Sequence, residues 1–585
     1  MIERIAYDDP ADARLARGAT GLLADFNRAG VLTAADVHVA TRVGELVGED
    51  ADDVRLAVAL AVRAARQGSV CVDLATVGAD PADDDLPWPG ADGWLERVAA
   101  SAYATGSVVR AESGLLYLDR YWREEGQVRD DLLARLAMPP PSVDEARLAP
   151  SAERLFPGEG YAEQRAAALA AARQWTTVLT GGPGTGKTTT VAGLLALLAE
   201  QPSGKPLRIA LTAPTGKAAA RLQEAVESAQ GGDRFTGADR GRLAGLSAST
   251  LHRLLGWRPG SSTRFKHHRG NRLPHDVIVV DETSMVSLTL MARLLEAVRP
   301  ETRLILVGDP DQLASVEAGA VLSDLVAGLA GRAPGTVAAL TTTHRFGDAI
   351  GELAAALRAG DADAVLALLT AGERGLELVD PDSVDLLRAD LTAHALAVRA
   401  AALAGDPAAA VHTADGHRLL CAHREGPWGV RHWNARTERW LGEAAGFYPG
   451  EWYAGRPVLV TANDYGLGLF NGDTGVTVAD GAALRVAIAG GELRTLPPSR
   501  LGDIETLHAM TVHKSQGSQA RAVTVLLPPD DSPLLTRELF YTAVTRAQEQ
   551  VRVVGTEASV RAAVERRAQR ASGLQRRIDA DGAGK

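Results

Sequence analysis

The chain is predicted to be an α/β protein: two tandem domains on parallel sheets, a mainly helical N-terminal domain before them, and a small β-rich insertion in the second. Three observations predict this. After residue 160 short apolar runs (TTVLT, RIALTA, VIVVDE, RLILVGD) alternate with helix-patterned stretches, and each run ends in a polar or glycine-rich turn. Wholly apolar strands of this kind suit a parallel sheet covered on both faces. The same texture returns as HRLLCAH, RAVTVLL and VRVVG, and 585 residues exceed what one core organises at ~150 residues per domain.

Taken in order, residues from Asp12 to about Arg66 repeat apolar side chains at three- and four-residue intervals, as in DDVRLAVALAVRAARQG, which is the helical period. Strand candidates follow at 69–74 and 114–117. The run Met138-Pro-Pro-Pro-Ser142 cannot continue a helix, because proline lacks an amide hydrogen and its ring meets the preceding turn. The expected division is therefore an N-terminal domain at 1–137, a linker at 138–160, a first α/β domain at 161–335 and a second at 336–572. Between about 446 and 505, short alternating runs, many glycines and the turn Asn471-Gly472-Asp473 predict the insertion. Residues 573–585 are expected to form a flexible tail.

Composition narrows the function classes. Hydrophobic residues at 46% and charged ones at 23% are ordinary for a soluble globular protein, which excludes disorder on a large scale. A net charge of −11 weighs against a uniformly basic surface for nucleic acid, although one basic channel would suffice. Cys71 and Cys421 are the only cysteines; both lie among apolar residues and read as core, and no CxxC or His/Cys cluster points to zinc. The N-terminus has no charged-then-apolar signal pattern, and no apolar run reaches the ~20 residues needed to span a bilayer. No membrane association and a cytoplasmic location are expected.

The strongest chemical signal is GGPGTGKT at 181–188: Gly181, Gly182, Pro183, Gly184, Thr185, Gly186, Lys187 and Thr188. It follows a strand and opens the helix TTTVAGLLALLAE at Thr188, with Thr189 also expected on the nucleotide; in this context backbone amides cradle phosphate oxygens and the helix N-terminus adds a favourable dipole. Lys187 is expected on the β- and γ-phosphates of ATP and Thr188 on Mg²⁺. VIVVDE ends in Asp281 and Glu282, a metal-holding acid beside one able to polarise a water. RLILVGD leads to Gln312, placed to sense the γ-phosphate. Arg345 and Arg546 are candidates for charge at the transition state, and Gln164 for the adenine edge.

Charge is also concentrated locally. From Leu251 to His275 there is no Asp or Glu, whereas Arg253, Arg258, Arg264, Lys266, Arg269 and Arg272 occur with Trp257 and Phe265 among them. Basic side chains track phosphate and aromatic faces stack on bases, so 256–275 reads as a basic hairpin facing single-stranded nucleic acid.

GGPGTGKTT, LTAPTGKAA, VVDETSM, GDPDQLASVEAG, THRF, MTVHKSQG and YTAVTRA stand in the order of superfamily 1 DNA helicase motifs, and the chain resembles the RecD family over about 160–560. GSVCVDLAT and LLYLDRYWREE resemble that family's N-terminal region as well. The resemblance implies two RecA-like P-loop domains, with the insertion a small β-barrel. It implies a 5′→3′ ATP-dependent helicase on single-stranded DNA and DNA ends, within a complex that resects double-strand breaks for repair. RecB-like and RecC-like partners are implied, docked through the N-terminal domain. The resemblance supports the assignments of Lys187, Thr188, Asp281, Glu282, Gln312, Arg345, Arg546 and Gln164, and makes the basic hairpin the pin that splits the duplex. It adds DNA contacts at Thr212, Pro214, Thr215, Lys217, Thr250 and His252, with Arg264, Phe265 and Lys266 in the hairpin. Thr511, His513, Lys514 and Gln516 would couple DNA to ATP. No carboxylate-plus-lysine nuclease cluster follows these motifs, so nuclease activity is expected on a partner. A stand-alone helicase, a DNA-stimulated ATPase switch and a mainly structural subunit are the alternatives.

Overall fold

The computed structural model describes residues 4, 9, 12–78, 85–202, 205–258, 264–333, 335–342, 348–372, 375–383, 385–464, 466–489, 493–568 and 570–580. Among them, no helix is long and apolar enough to cross a membrane.

Helices Gly21–Arg28, Ala34–Val47 and Asp52–Arg66 enclose an N-terminal core around Phe26, Leu56, Leu60, Trp94 and Tyr103. Asp52 and Asp53 open the third helix and Arg63 and Arg66 close it, complementing the helix dipole at both ends. A three-stranded antiparallel sheet follows, ordered Cys71–Val72, Leu115–Leu118, Val109–Glu112. Helix Asp119–Leu136 then joins this region to the first α/β domain. Gln127 donates to the Ala292 carbonyl at 2.8 Å, and buried Arg135 donates to the carbonyls of Trp175 at 2.7 Å and Arg299 at 2.8 Å.

The first α/β domain is a six-stranded parallel sheet ordered Ala248–Thr250, Ile209–Ala213, Val277–Val280, Arg303–Gly308, Thr176–Gly181, Val337–Leu340. Its central strands are apolar on both faces, as helices on both sides require. Parallel order gathers the carboxyl ends of Val277–Val280, Arg303–Gly308 and Thr176–Gly181 side by side, and open α/β sheets bind their ligands at that edge.

The second domain carries a five-stranded parallel sheet ordered Leu376–Val379, Ala547–Val554, Ala520–Leu526, His417–Cys421, Ala509–Thr511. The insertion is a five-stranded antiparallel sheet ordered Arg494–Leu496, Ala483–Ala489, Thr474–Asp480, Pro457–Val460, Ile504–Thr506.

Three expected boundaries need correction. The segment expected as a linker, 138–160, contains helix Glu145–Leu155, capped by Asp144, and buries Leu148, Ala152, Leu155 and Phe156 in the first domain's core. The prolines stop the preceding helix, but the amphipathic stretch after them has a core to join. The first sheet also continues past 335, because Val337–Leu340 pairs with Thr176–Gly181. Part of the expected flexible tail is a packed helix, Leu574–Ala580, with Leu574 and Ile578 fully buried. Arg577 there bonds Glu112 at 2.9 Å and reaches Glu125 at 3.3 Å, which ties the segment to the N-terminal domain.

Candidate functional site

The loop after Thr176–Gly181 curls because Gly184 and Gly186 adopt φ of 82° and 85°, a left-handed region that side chains with a Cβ avoid. Helix Lys187–Glu200 starts directly behind it. Thr185 is buried and donates through its hydroxyl to the Gly182 carbonyl at 2.9 Å. Lys187 Nζ donates to the carbonyls of Gly181 at 2.6 Å and Gly182 at 2.9 Å, so the ammonium lies over the loop's own mouth. Thr188 and Thr189 are half-buried in the first turn. Gln164 is buried and donates to the Thr185 carbonyl at 3.1 Å, packed beside Gly186.

Asp281 and Glu282 stand at the end of the neighbouring strand. The Asp281 amide donates to the Thr212 carbonyl at 2.8 Å, and Asp281 Oδ1 accepts from the Glu282 amide at 2.9 Å. Burial, then the adjacent Glu282 charge, pushes the Asp281 carboxyl up to about 7, with Lys187 opposing the rise. Glu282 has φ of 49°, a conformation costing a non-glycine residue of order 1 kcal/mol, which marks this turn as strained.

The second domain completes the cleft. Asp309 Oδ2 accepts from Gln312 Nε2 at 3.0 Å and from the Tyr541 hydroxyl at 2.9 Å. Gln312 Oε1 accepts from Arg546 Nη2 at 3.0 Å. Burial lowers the Arg546 pKa, while Glu282 and Asp309 pull it back. Two further bonds cross the same junction: the Leu313 amide to Thr542 Oγ1 at 2.9 Å, and Gln516 Nε2 to the Leu313 carbonyl at 2.8 Å. Lys187, Asp281, Glu282, Gln312 and Arg546 thus converge on one cleft. Arg345 lies outside the described residues.

Two cleft residues carry no signal strong enough to single them out from sequence. A methyl group placed on Gly182 would lie 3.0 Å from the Tyr541 hydroxyl and 3.7 Å from Arg358 Nη1. Tyr541 belongs to the YTAVTRA run, where the arginine is the more obvious candidate. Arg358, in the last turn of helix Asp348–Ala359, sits in no recognisable motif.

The residues expected on DNA divide into surface and interior. Pro214, Thr215 and Lys217 lie half-buried at the start of helix Gly216–Gln230, which Thr215 caps. Burial, and then Arg418, brings the Lys217 ammonium down to about 8. Thr250 caps helix Leu251–Leu255, and the His252 ring lies 5.8 Å from that of Phe265. Arg264 and Lys266 flank Phe265, which bridges to Trp257, while 259–263 of the expected hairpin lie outside the described residues. Lys514 pairs with Glu505 at 2.9 Å, and burial lowers the pKa of neighbouring His513.

Thr212 and Gln516 correct the expectation. Thr212 is fully buried and donates to the Ser249 carbonyl at 2.8 Å, beneath the surface rather than on it. Gln516 is spent on Leu313 across the domain junction. Thr511 is also largely buried and caps helix Val512–Ser515. Motif order cannot distinguish a residue that touches a strand from one that supports its neighbour.

Three family models match the chain: the N-terminal domain of RecBCD enzyme subunit RecD at 28–112, an AAA domain at 164–318, and a UvrD-like helicase C-terminal domain at 506–554. The RecBCD enzyme subunit RecD of Mycolicibacterium smegmatis is 62% identical over 554 residues, covering 94% of this chain and 98% of that one. The subunit of the same name from Mycobacterium tuberculosis is 59% identical over 582 residues, covering 98% and 99%. An ATP-dependent RecD2 DNA helicase of Deinococcus radiodurans is 33% identical over 487 residues, covering 82% of this chain but 60% of its own length.

Proposed function

The chain belongs to the RecD family of RecBCD enzyme subunits, and from that membership we propose that it is the ATP-dependent 5′→3′ DNA helicase subunit of a RecBCD-like helicase and nuclease. The observation that carries this reading is the reach of second-domain side chains to the first domain's phosphate loop: Tyr541 stands over Gly182, and Arg546 bonds Gln312. A nucleotide bound there would touch both sheet domains, so its hydrolysis would change how they meet.

In this reading the amides of 182–188 and Lys187 Nζ bind the phosphates, with Lys187 exchanging its two loop carbonyls for phosphate oxygens. Gln164, held against Thr185, would face the base. A magnesium ion fits the acidic end of the site, because the Asp281 carboxylate and the Thr188 hydroxyl are hard oxygen donors of the kind this cation takes. Thr188 and Asp281 would hold it, and it would neutralise phosphate charge as a Lewis acid. Glu282 would take the proton of the attacking water. Arg546 and Arg345 would face the charge that develops on the transferred phosphoryl group. Gln312, bonded to both Asp309 and Arg546, would report whether the terminal phosphate is present.

DNA would cross both domains. Pro214, Thr215, Lys217, Thr250 and His252 would hold a strand on the first, His513 and Lys514 on the second, with the insertion curling into a small barrel against it. Alternate grips would pass the strand in single-nucleotide steps. Arg264, Phe265 and Lys266 would stand at the splitting hairpin. RecB-like and RecC-like partners would dock on the N-terminal domain, and the nuclease centre would be theirs.

The test is ATP hydrolysis by the purified full chain with and without single-stranded DNA, tailed-duplex unwinding, and both again for Lys187→Ala. Stimulated hydrolysis that disappears in the variant is expected. Unwinding rate and strand preference of the native complex unchanged by Lys187→Ala would establish a structural subunit instead. Recovery from native extract as a lone monomer would favour a stand-alone helicase.

A further inference from the structure

We infer that Arg358 is a phosphate-contacting residue, a cation delivered by the second domain to the terminal phosphate of the bound nucleotide. The inference rests on the nucleotide-site reading above and adds a residue that no motif marks.

Two cations from two domains converge on Gly182. Lys187 Nζ donates to its carbonyl at 2.9 Å, and Arg358 Nη1 lies 3.7 Å from where a methyl group on its α-carbon would stand. Like charges repel, and an anion beside the loop, whether the protein's own Asp311 or a bound phosphate, offsets that repulsion. Any side chain at Gly182 would meet the Tyr541 hydroxyl as well, so glycine lets the second domain approach the loop.

A cation in a helix's last turn is often there for the helix dipole alone. Arg358 occupies such a turn, but its charge acts on the cleft, lowering the pKa values of Asp311 and Tyr541 against the rise that burial imposes. Among the described residues it forms no ion pair within 4.0 Å. It is half-buried, so water screens it only in part. A guanidinium presents its donors as a planar fork that matches two phosphate oxygens, a geometry an ammonium lacks. Helix Asp348–Ala359 is anchored by buried Ile350, Leu353 and Leu357, so Arg358 would move with the second domain when the cleft opens. Its contact would therefore depend on closure.

The experiment uses the purified full chain with Arg358→Gln, Arg358→Lys and Lys187→Ala, with single-stranded DNA present. Steady-state hydrolysis is measured, together with binding of fluorescent ADP and of a fluorescent non-hydrolysable ATP analogue. Arg358→Gln is expected to weaken analogue binding or lower kcat by about tenfold or more, while ADP affinity stays within about twofold. Arg358→Lys is expected to recover part of that deficit. Wild-type kcat and KM in Arg358→Gln, beside an inactive Lys187→Ala, would overturn the assignment and leave the nucleotide site standing. Equal weakening toward ADP and the analogue, or failure of both Arg358 variants to fold, would assign the residue to the helix end instead. Undiminished hydrolysis in Lys187→Ala would remove the nucleotide-site reading itself.

Discussion

Arg546 Nη2 and Gln312 Oε1 meet at 3.0 Å across the junction of the two α/β domains, with both side chains buried. Gln312 passes the contact on, donating to Asp309, which also accepts from Tyr541. The first domain's GDPDQL segment and the second domain's YTAVTRA segment therefore share one hydrogen-bond network.

Arg546→Ala should lower DNA-stimulated kcat by about 10³-fold, the scale on which removing an arginine from a phosphoryl transition state acts. Gln312→Ala should cost less, and the double variant should fall short of the product of the two single effects. Hydrolysis rates of the four proteins form the cycle. Strict additivity would mean that the two side chains act independently despite their bond.

Gly193→Ala should destabilise the chain by about 1–3 kcal/mol through overpacking. Gly193 lies within helix Lys187–Glu200 against the fully buried ring of Phe156, and an added methyl would run into that ring. The urea midpoint measures the change. An unchanged midpoint would show that the 145–156 segment is not part of this core.

Asp324 should make stability fall as pH rises. Burial, opposed by a hydrogen bond from Ser572 and helped by the Glu125 charge, raises its carboxyl from 3.8 to about 7. The folded state therefore keeps a proton that the unfolded chain releases. The penalty is absent below about pH 4, grows toward pH 7 and is complete above it, on the order of 4 kcal/mol. Asp324→Asn should raise the melting temperature at pH 8 and flatten the slope between pH 4 and 7. A larger wild-type advantage at pH 8 would reverse the sign and refute the argument.

Replacing Arg264 and Lys266 with Ala should weaken single-stranded DNA binding at every sequence and reduce the salt dependence of log K by roughly 0.7 for each phosphate no longer neutralised. Fluorescence titrations between about 50 and about 200 mM salt would measure this. An unchanged slope would place both residues off the strand.

Much of the site was legible because its chemistry is contiguous in the chain. A strand, glycines able to take positive φ, Lys187 and a following helix form a phosphate loop whatever surrounds them, and Asp281 ends an apolar strand whose burial is written in its own residues. Parallel order also follows from those runs, and with it the gathering of strand ends at one edge.

Burial of the rest depended on distant partners. Thr212 and Gln516 stand in motifs that imply DNA contact, but their side chains donate to the carbonyls of Ser249 and Leu313. The linker and tail became helices because cores formed elsewhere accept Phe156 and Ile578. Arg358 and Tyr541 reach Gly182 only because two separately folded sheets meet there, 176 and 359 residues away along the chain. Local sequence determines which groups can do chemistry. Which of them face one another is decided by long-range packing, since contact energy depends on distance in space rather than along the backbone.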